Sequence, residues 1–132
     1  MKLRIRGNSI RFRLTQSEVA QFGDTGMIDE MLEFGVANPV LSYQLRTTGD
    51  DETIRAGFED NCLSVSIPVS VAESWINSVQ VGIEAVQPLD NNRTLRILVE
   101  KDFACLTERV GEDETDAFAN PLAHDTCLIP KS

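Results

Sequence analysis

Met-Lys-Leu-Arg-Ile-Arg-Gly-Asn-Ser-Ile-Arg-Phe-Arg-Leu, residues 1 to 14, is the stretch whose reading decides the fold. With Gly7-Asn8 as a two-residue turn, Lys2 faces Arg13, Leu3 faces Phe12, Arg4 faces Arg11, Ile5 faces Ile10 and Arg6 faces Ser9. Glycine at the first turn position accepts the positive φ of a primed hairpin turn. Strand side chains alternate between faces, so this register gathers Leu3, Ile5, Ile10 and Phe12 on one side. Lys2, Arg4, Arg6, Arg11 and Arg13 fall on the other side. A slip of one residue would mix the two sets, which fixes the pairing. The register sets Arg4 opposite Arg11 and Lys2 opposite Arg13, and like charges so placed cost a few tenths to about 1 kcal/mol each. The face therefore calls for an anionic cover: acidic side chains of this chain, an acidic protein partner, or nucleic-acid phosphates.

Outward from the hairpin, Thr15-Gln-Ser-Glu18 is a capping-box pattern that predicts a helix to about Phe22, with Gly23 as its stop. Alternating strands follow from Met27 to Phe34 and from Leu41 to Arg46, separated by a turn at 35–39. After a polar linker, residues 48–52, the pattern restarts. A two-residue turn at Asp60-Asn61 pairs Phe58 with Leu63 and Ala56 with Val65. Ser70-Val-Ala-Glu73 reads as a second capping box for a helix that carries Trp75, which is expected in the core. Two more alternating strands run to residue 101, around a turn at Pro88 to Arg93.

The expected fold is thus mainly β, a β barrel with two short helices, built from two pseudo-symmetric β-hairpin–α–β–β halves at 1–47 and 53–101. A unit of half this length would bury little core alone, so the halves are expected to pack as one domain, 1–101. Residues 102–132 break the pattern. Glu112-Asp113-Glu114-Thr115-Asp116 is an acidic run, and Phe118 and Leu122 are isolated apolar anchors in what reads as an irregular tail.

Composition bounds the function. The 132 residues are 42% hydrophobic and 25% charged, as in ordinary globular domains. No apolar run nears the roughly 18 residues of a membrane span, and the basic start lacks the apolar core of a secretory signal. Three cysteines, an odd number, suit free thiols in a reducing compartment, so a cytoplasmic location is expected. Net charge is −9, yet residues 1–14 hold five of the twelve basic residues and no acid. That segregation describes a local basic patch on an acidic protein.

Gly7-Asn8-Ser9, an alternating strand ending in Arg13-Leu14, a short capped helix and an acidic-apolar strand resemble the AbrB/MazE family of swapped-hairpin barrels. Asn61, Ile67 and Pro68 in the second half, with Val79-Gln-Val-Gly-Ile-Glu84 for the later strand, extend the resemblance over residues 1–101. Thr15 stands where the family more often has proline. The whole chain is also similar to a family of small uncharacterised bacterial proteins. Members of the AbrB/MazE family are usually homodimers of about half this length, so the resemblance implies a single-chain pseudo-dimer, as monomer or weak homo-oligomer. It implies a regulatory, DNA-binding role through the first hairpin, with Arg6, Asn8, Ser9 and Arg13 facing DNA. One departure counts against DNA: Ser66 stands where the second hairpin would repeat Arg13, so one basic hairpin is present where a family dimer has two. Phosphate contacts dominate affinity, and losing half of them weakens binding by orders of magnitude.

The candidate polyanion-binding residues are therefore Lys2, Arg4, Arg6, Asn8, Ser9, Arg11 and Arg13, spaced along a two-stranded ribbon that a major groove can admit. The plain alternative is that Glu30, Glu33, Glu84 or Glu100 of neighbouring strands covers them. A metal reading falls on Cys105, His124 and Cys127, since two residues between His124 and Cys127 is a zinc-site spacing, with an aspartate as fourth ligand. The alternative there is ordinary thiols and a surface histidine, with no cofactor. With one histidine, no Gly-x-Ser-x-Gly and no phosphate loop, catalysis has no handle, and neither an enzyme activity nor a small-molecule substrate is expected. The runner-up function is a structural or protein-interaction domain that has lost DNA, including antitoxin-like engagement of a protein by the acidic tail.

Overall fold

The computed structural model describes residues 1–36, 40–103 and 118. Eight strands and two helices follow in order: β1 (Lys2–Ile5), β2 (Ser9–Leu14), α1 (Gln16–Thr25), β3 (Met27–Leu32), β4 (Leu41–Thr48), β5 (Arg55–Glu59), β6 (Cys62–Pro68), α2 (Val69–Ile76), β7 (Gly82–Pro88) and β8 (Thr94–Lys101). Both hairpins take the expected registers, from Lys2↔Arg13 to Ile5↔Ile10 and from Ala56↔Val65 to Glu59↔Cys62. Gly7 has φ 55°, and Asp60 and Asn61 have φ 54° and 61°, the left-handed pair of a tight primed turn.

The chain does not close into a barrel. It forms two four-stranded sheets, the first ordered β1-β2-β8-β7 and the second β3-β4-β6-β5. Hairpin partners are antiparallel, whereas β2 lies parallel to β8 and β4 parallel to β6. Exchanging β1–β4 with β5–β8 turns the order of one sheet into that of the other. The hairpin turns splice the sheets alike: the Asn8 carbonyl accepts from Arg96 N–H (3.1 Å), and the Asn61 carbonyl accepts from Ser42 N–H (2.9 Å).

Closure fails because the edge strands meet through polar groups rather than ladders. Between β5 and β7, the Gln87 side chain receives Ala56 N–H at 2.7 Å and donates to Ala56 C=O at 3.1 Å. On the β1 side, Met1 just before β1 pairs through its ammonium with Glu18 of α1 and Glu30 of β3, and the Tyr43 hydroxyl of β4 donates to its carbonyl. Gln87→Leu should therefore cost about 1–3 kcal/mol, because Ala56 is 7% exposed and would keep a buried, unpaired N–H and C=O. A smaller loss in urea unfolding would show that water reaches the seam.

The inner faces form one hydrophobic cluster of Phe12, Leu14, Leu45, Val65, Ile67, Ile97 and Val99, capped by Phe22 of α1 and Trp75 of α2. Fully burying such side chains contributes about 1.5–3 kcal/mol each. The α1 capping box forms as expected: Glu18 N–H donates to Thr15 Oγ1, and Thr15 N–H donates to Glu18 Oε1. The helix does not stop at Gly23. It continues to Thr25 and ends at Gly26, whose φ of 78° supplies the left-handed stop that Gly23 does not take. The second capping box does not form either. Pro68 is the N-cap and has no side-chain acceptor, and Ser70 lies inside the helix. Asp50 of the linker accepts Ser70 N–H at 2.9 Å in its place. The linker thus helps to start α2 from a distance.

Phe118 returns to the end of β8, where its N–H donates to Asp102 C=O and its ring meets Phe103 edge-on at 5.6 Å. Phe118 is the one described residue beyond Phe103. Among the described residues no helix is long and apolar enough to cross a membrane.

A candidate polyanion-binding face

The outer face of the first sheet is laid out by strand register. Across β1, β2, β8 and β7 the rows are Lys2–Arg13–Glu100–Gly82, Arg4–Arg11–Leu98–Glu84, and Arg6–Ser9–Arg96–Val86. The parallel pairing of β2 with β8 adds Arg96 to the basic set and brings Glu100 beneath two arginines. No aromatic side chain lies in these rows.

Cover is partial. Glu100 Oε1 lies 2.9 Å from Arg13 and 3.4 Å from Arg11, and Lys2 lies 3.4 Å from Asp102. Arg96 pairs with Glu84 at 2.6 Å. Arg4 and Arg6 have no ion-pair partner among the described residues. Glu30, offered as a cover by sequence, serves the Met1 ammonium instead. The Arg96–Glu84 pair is exposed and contributes between nothing and about 1 kcal/mol, so an external anion can compete for it, whereas the Glu100 and Asp102 carboxylates are largely buried. Arg4, Arg6, Ser9, Arg11, Glu84 and Arg96 line an open groove of about 260 Å³.

Asn8 and Ser9 sit at the mouth of this face with internal partners. Asn8 Nδ2 donates to the Thr94 carbonyl at 2.7 Å, and Ser9 Oγ donates to the Arg6 carbonyl at 2.6 Å. They shape the hairpin tip that presents Arg6. Sequence reasoning missed Arg96 because a parallel ladder between residues 87 apart in the chain leaves no turn to announce it. The signal was present in the alternation of Thr94–Lys101, which puts Arg96 and Glu100 on one face.

Two other ionisable groups depart from ordinary behaviour. Lys101 is buried, its Nζ donates to the Ser78 carbonyl at 2.7 Å, and it lies over the rings of Trp75 (5.6 Å) and Phe118 (5.5 Å). Burial pushes its pKa down. Tyr43 is pushed up, first by burial and then by the charges of Glu30 and Glu18. Cys62 is a half-buried free thiol that accepts from Gln44 Nε2. The proposed metal ligands Cys105, His124 and Cys127 lie outside the described residues, as do Leu122 and the acidic run of the tail. Among the described residues no three His, Cys, Asp or Glu side chains are grouped to hold a metal ion.

Fold and face together define a two-sheet, mainly β protein with one basic outer surface. The chain belongs to DUF7009, a family of unknown function, whose family model matches residues 1–122. No curated protein and no solved structure matches it.

Proposed function

We propose that the chain is a non-enzymatic binding domain that takes the phosphate backbone of DNA on the outer face of the first sheet. The observation that carries this is the pair Arg4 and Arg6, without ion-pair partners among the described residues, beside Arg11 and Arg96 around one groove. The lack of aromatics favours duplex over single strands, because single-strand binders stack bases on aromatic rings. Support for an AbrB/MazE-like, internally duplicated swapped-hairpin design comes from the exchange of strands between halves, each sheet holding a hairpin of one half and the closing strands of the other.

The test is binding of the full chain to a mixed-sequence duplex across a salt series. Two to four phosphate contacts give a slope of log K against log salt of about −2 to −4. No complex at low salt sinks the DNA reading. A second reading, a protein-interaction domain that has lost DNA, draws on the other sheet. The equivalent hairpin places there hold Arg55, Gly57, Glu59, Cys62, Ser64 and Ser66, and β4 and β3 add Arg46 and Asp29. That face is close to neutral, so the fold does not need the basic set, which is then left for an acidic protein partner. Retention by poly-glutamate without a DNA complex would favour that reading.

A further inference from the structure

On the pseudo-symmetric contact between α1 and α2 lies a second open groove, of about 360 Å³. Val69, Gly23 and Ile76 supply apolar lining above the buried Phe22 and Ala72, and Asp24 and Glu73 stand among them as exposed carboxylates. Neither carboxylate has an ion-pair partner among the described residues, and no lysine or arginine lines the groove. The last turns of both helices open into it, up to the caps at Gly26 and Asn77, and neither last turn carries a basic residue. A helix C-terminus bears the negative end of the helix dipole and favours cations, as do exposed carboxylates. Two dipole ends and two exposed carboxylates therefore line one groove with Val69 and Ile76, and nothing positive is among the lining residues.

We infer that this groove is a binding site for a small organic cation, an ammonium carried on an apolar body the size of one ring or a short alkyl chain. The volume sits at the low end of the range for small-molecule sites, which suits such a ligand. Ammonium and apolar body have separate receivers: the carboxylates and helix ends for the charge, and Val69 and Ile76 for the body. Gly23 keeps the floor open. A Cβ there would lie 3.6 Å from Ile76 Cδ1, an ordinary contact, so alanine fits without strain and narrows the groove.

The full chain is titrated with phenethylammonium, with its neutral isostere 2-phenylethanol and with the anion 3-phenylpropionate, following the backbone amides of Gly23, Gly26 and Asn77 by NMR. Saturable shifts are expected, with the cation bound about tenfold more tightly than the alcohol, a difference of about 1.4 kcal/mol, and the anion weakest. Asp24→Asn with Glu73→Gln should erase the preference for the cation, and Gly23→Ala should weaken both cation and alcohol. Spectra unchanged elsewhere show that these exposed substitutions leave the fold intact. The inference is overturned if no probe saturates, if the alcohol binds as tightly as the cation, or if the carboxylate variants keep the preference. Concentration-dependent broadening confined to the groove without ligand would assign it to a second copy of the chain and overturn the small-ligand site.

Discussion

Trp75→Ala should destabilise the protein by about 3–5 kcal/mol, the usual cost of emptying a buried tryptophan site. Trp75 is fully buried, meets Phe22 edge-on at 6.5 Å and donates Nε1–H to the Val81 carbonyl at 3.1 Å. It also forms one side of the enclosure around the Lys101 ammonium. The substitution opens a cavity where both helices meet both sheets, so neighbours on several elements lose packing at once. Native domains hold only about 5–15 kcal/mol in total, so this one substitution takes a large share of it. Urea unfolding followed by far-UV circular dichroism measures this, because the variant has no tryptophan left to report. A loss under about 1 kcal/mol would mean that the site collapses around the vacancy, and that Trp75 is not the keystone its contacts describe.

Arg4→Gln with Arg6→Gln should leave stability within about 0.5 kcal/mol and weaken DNA binding sharply. At 0.1 M salt each phosphate contact contributes nearly one decade of affinity, so two lost contacts predict about a 50- to 100-fold weaker complex. The salt slope should become shallower by about 2. Stability could even rise a little, since Arg4 faces Arg11 across the hairpin. An Arg13→Gln control should have a smaller effect, because Arg13 already shares Glu100. Equal losses from all three substitutions would show that the face acts only as a diffuse charge, and that Arg4 and Arg6 have no special standing.

Much of the local structure was legible in the sequence. Both hairpin registers followed from alternation together with a turn of two residues, because the turn and the apolar face constrain the same choice. The α1 capping box was legible because Thr15 and Glu18 satisfy each other locally. What was hidden was non-local. Nothing adjacent to β2 says that it lies parallel to β8, so Arg96 was missed and the two sheets were taken for a closed barrel. Ser70 looked like a cap because the pattern fits, but Pro68 starts the helix two residues earlier and Asp50 reaches in from the linker. Gly23 looked like a stop because glycine often is one. The decisive quantity is φ, and only Gly26 takes the left-handed value.

The candidate face was half visible. Its five hairpin cations were plain, and Glu84 and Glu100 were among the expected covers. Which arginines the acids leave uncovered depends on the row each strand occupies.

The interlacing of the sheets also governs the order in which the protein can be made. During synthesis β1 and β2 emerge first, yet β8, the strand that lies against β2, ends at Lys101. Until then the β2 edge of the first hairpin is uncovered and its repelling arginines lack Glu100. The second sheet is completed earlier, because its last strands, β5 and β6, follow β4 after a short linker and end at Pro68. Long-range pairing of this kind pays its loop-closure entropy before it earns its contacts, which slows folding. The nascent chain therefore passes through a stage in which one sheet is built and the basic hairpin waits for its neighbour, and that is the interval when a chaperone or an anion would find it most exposed.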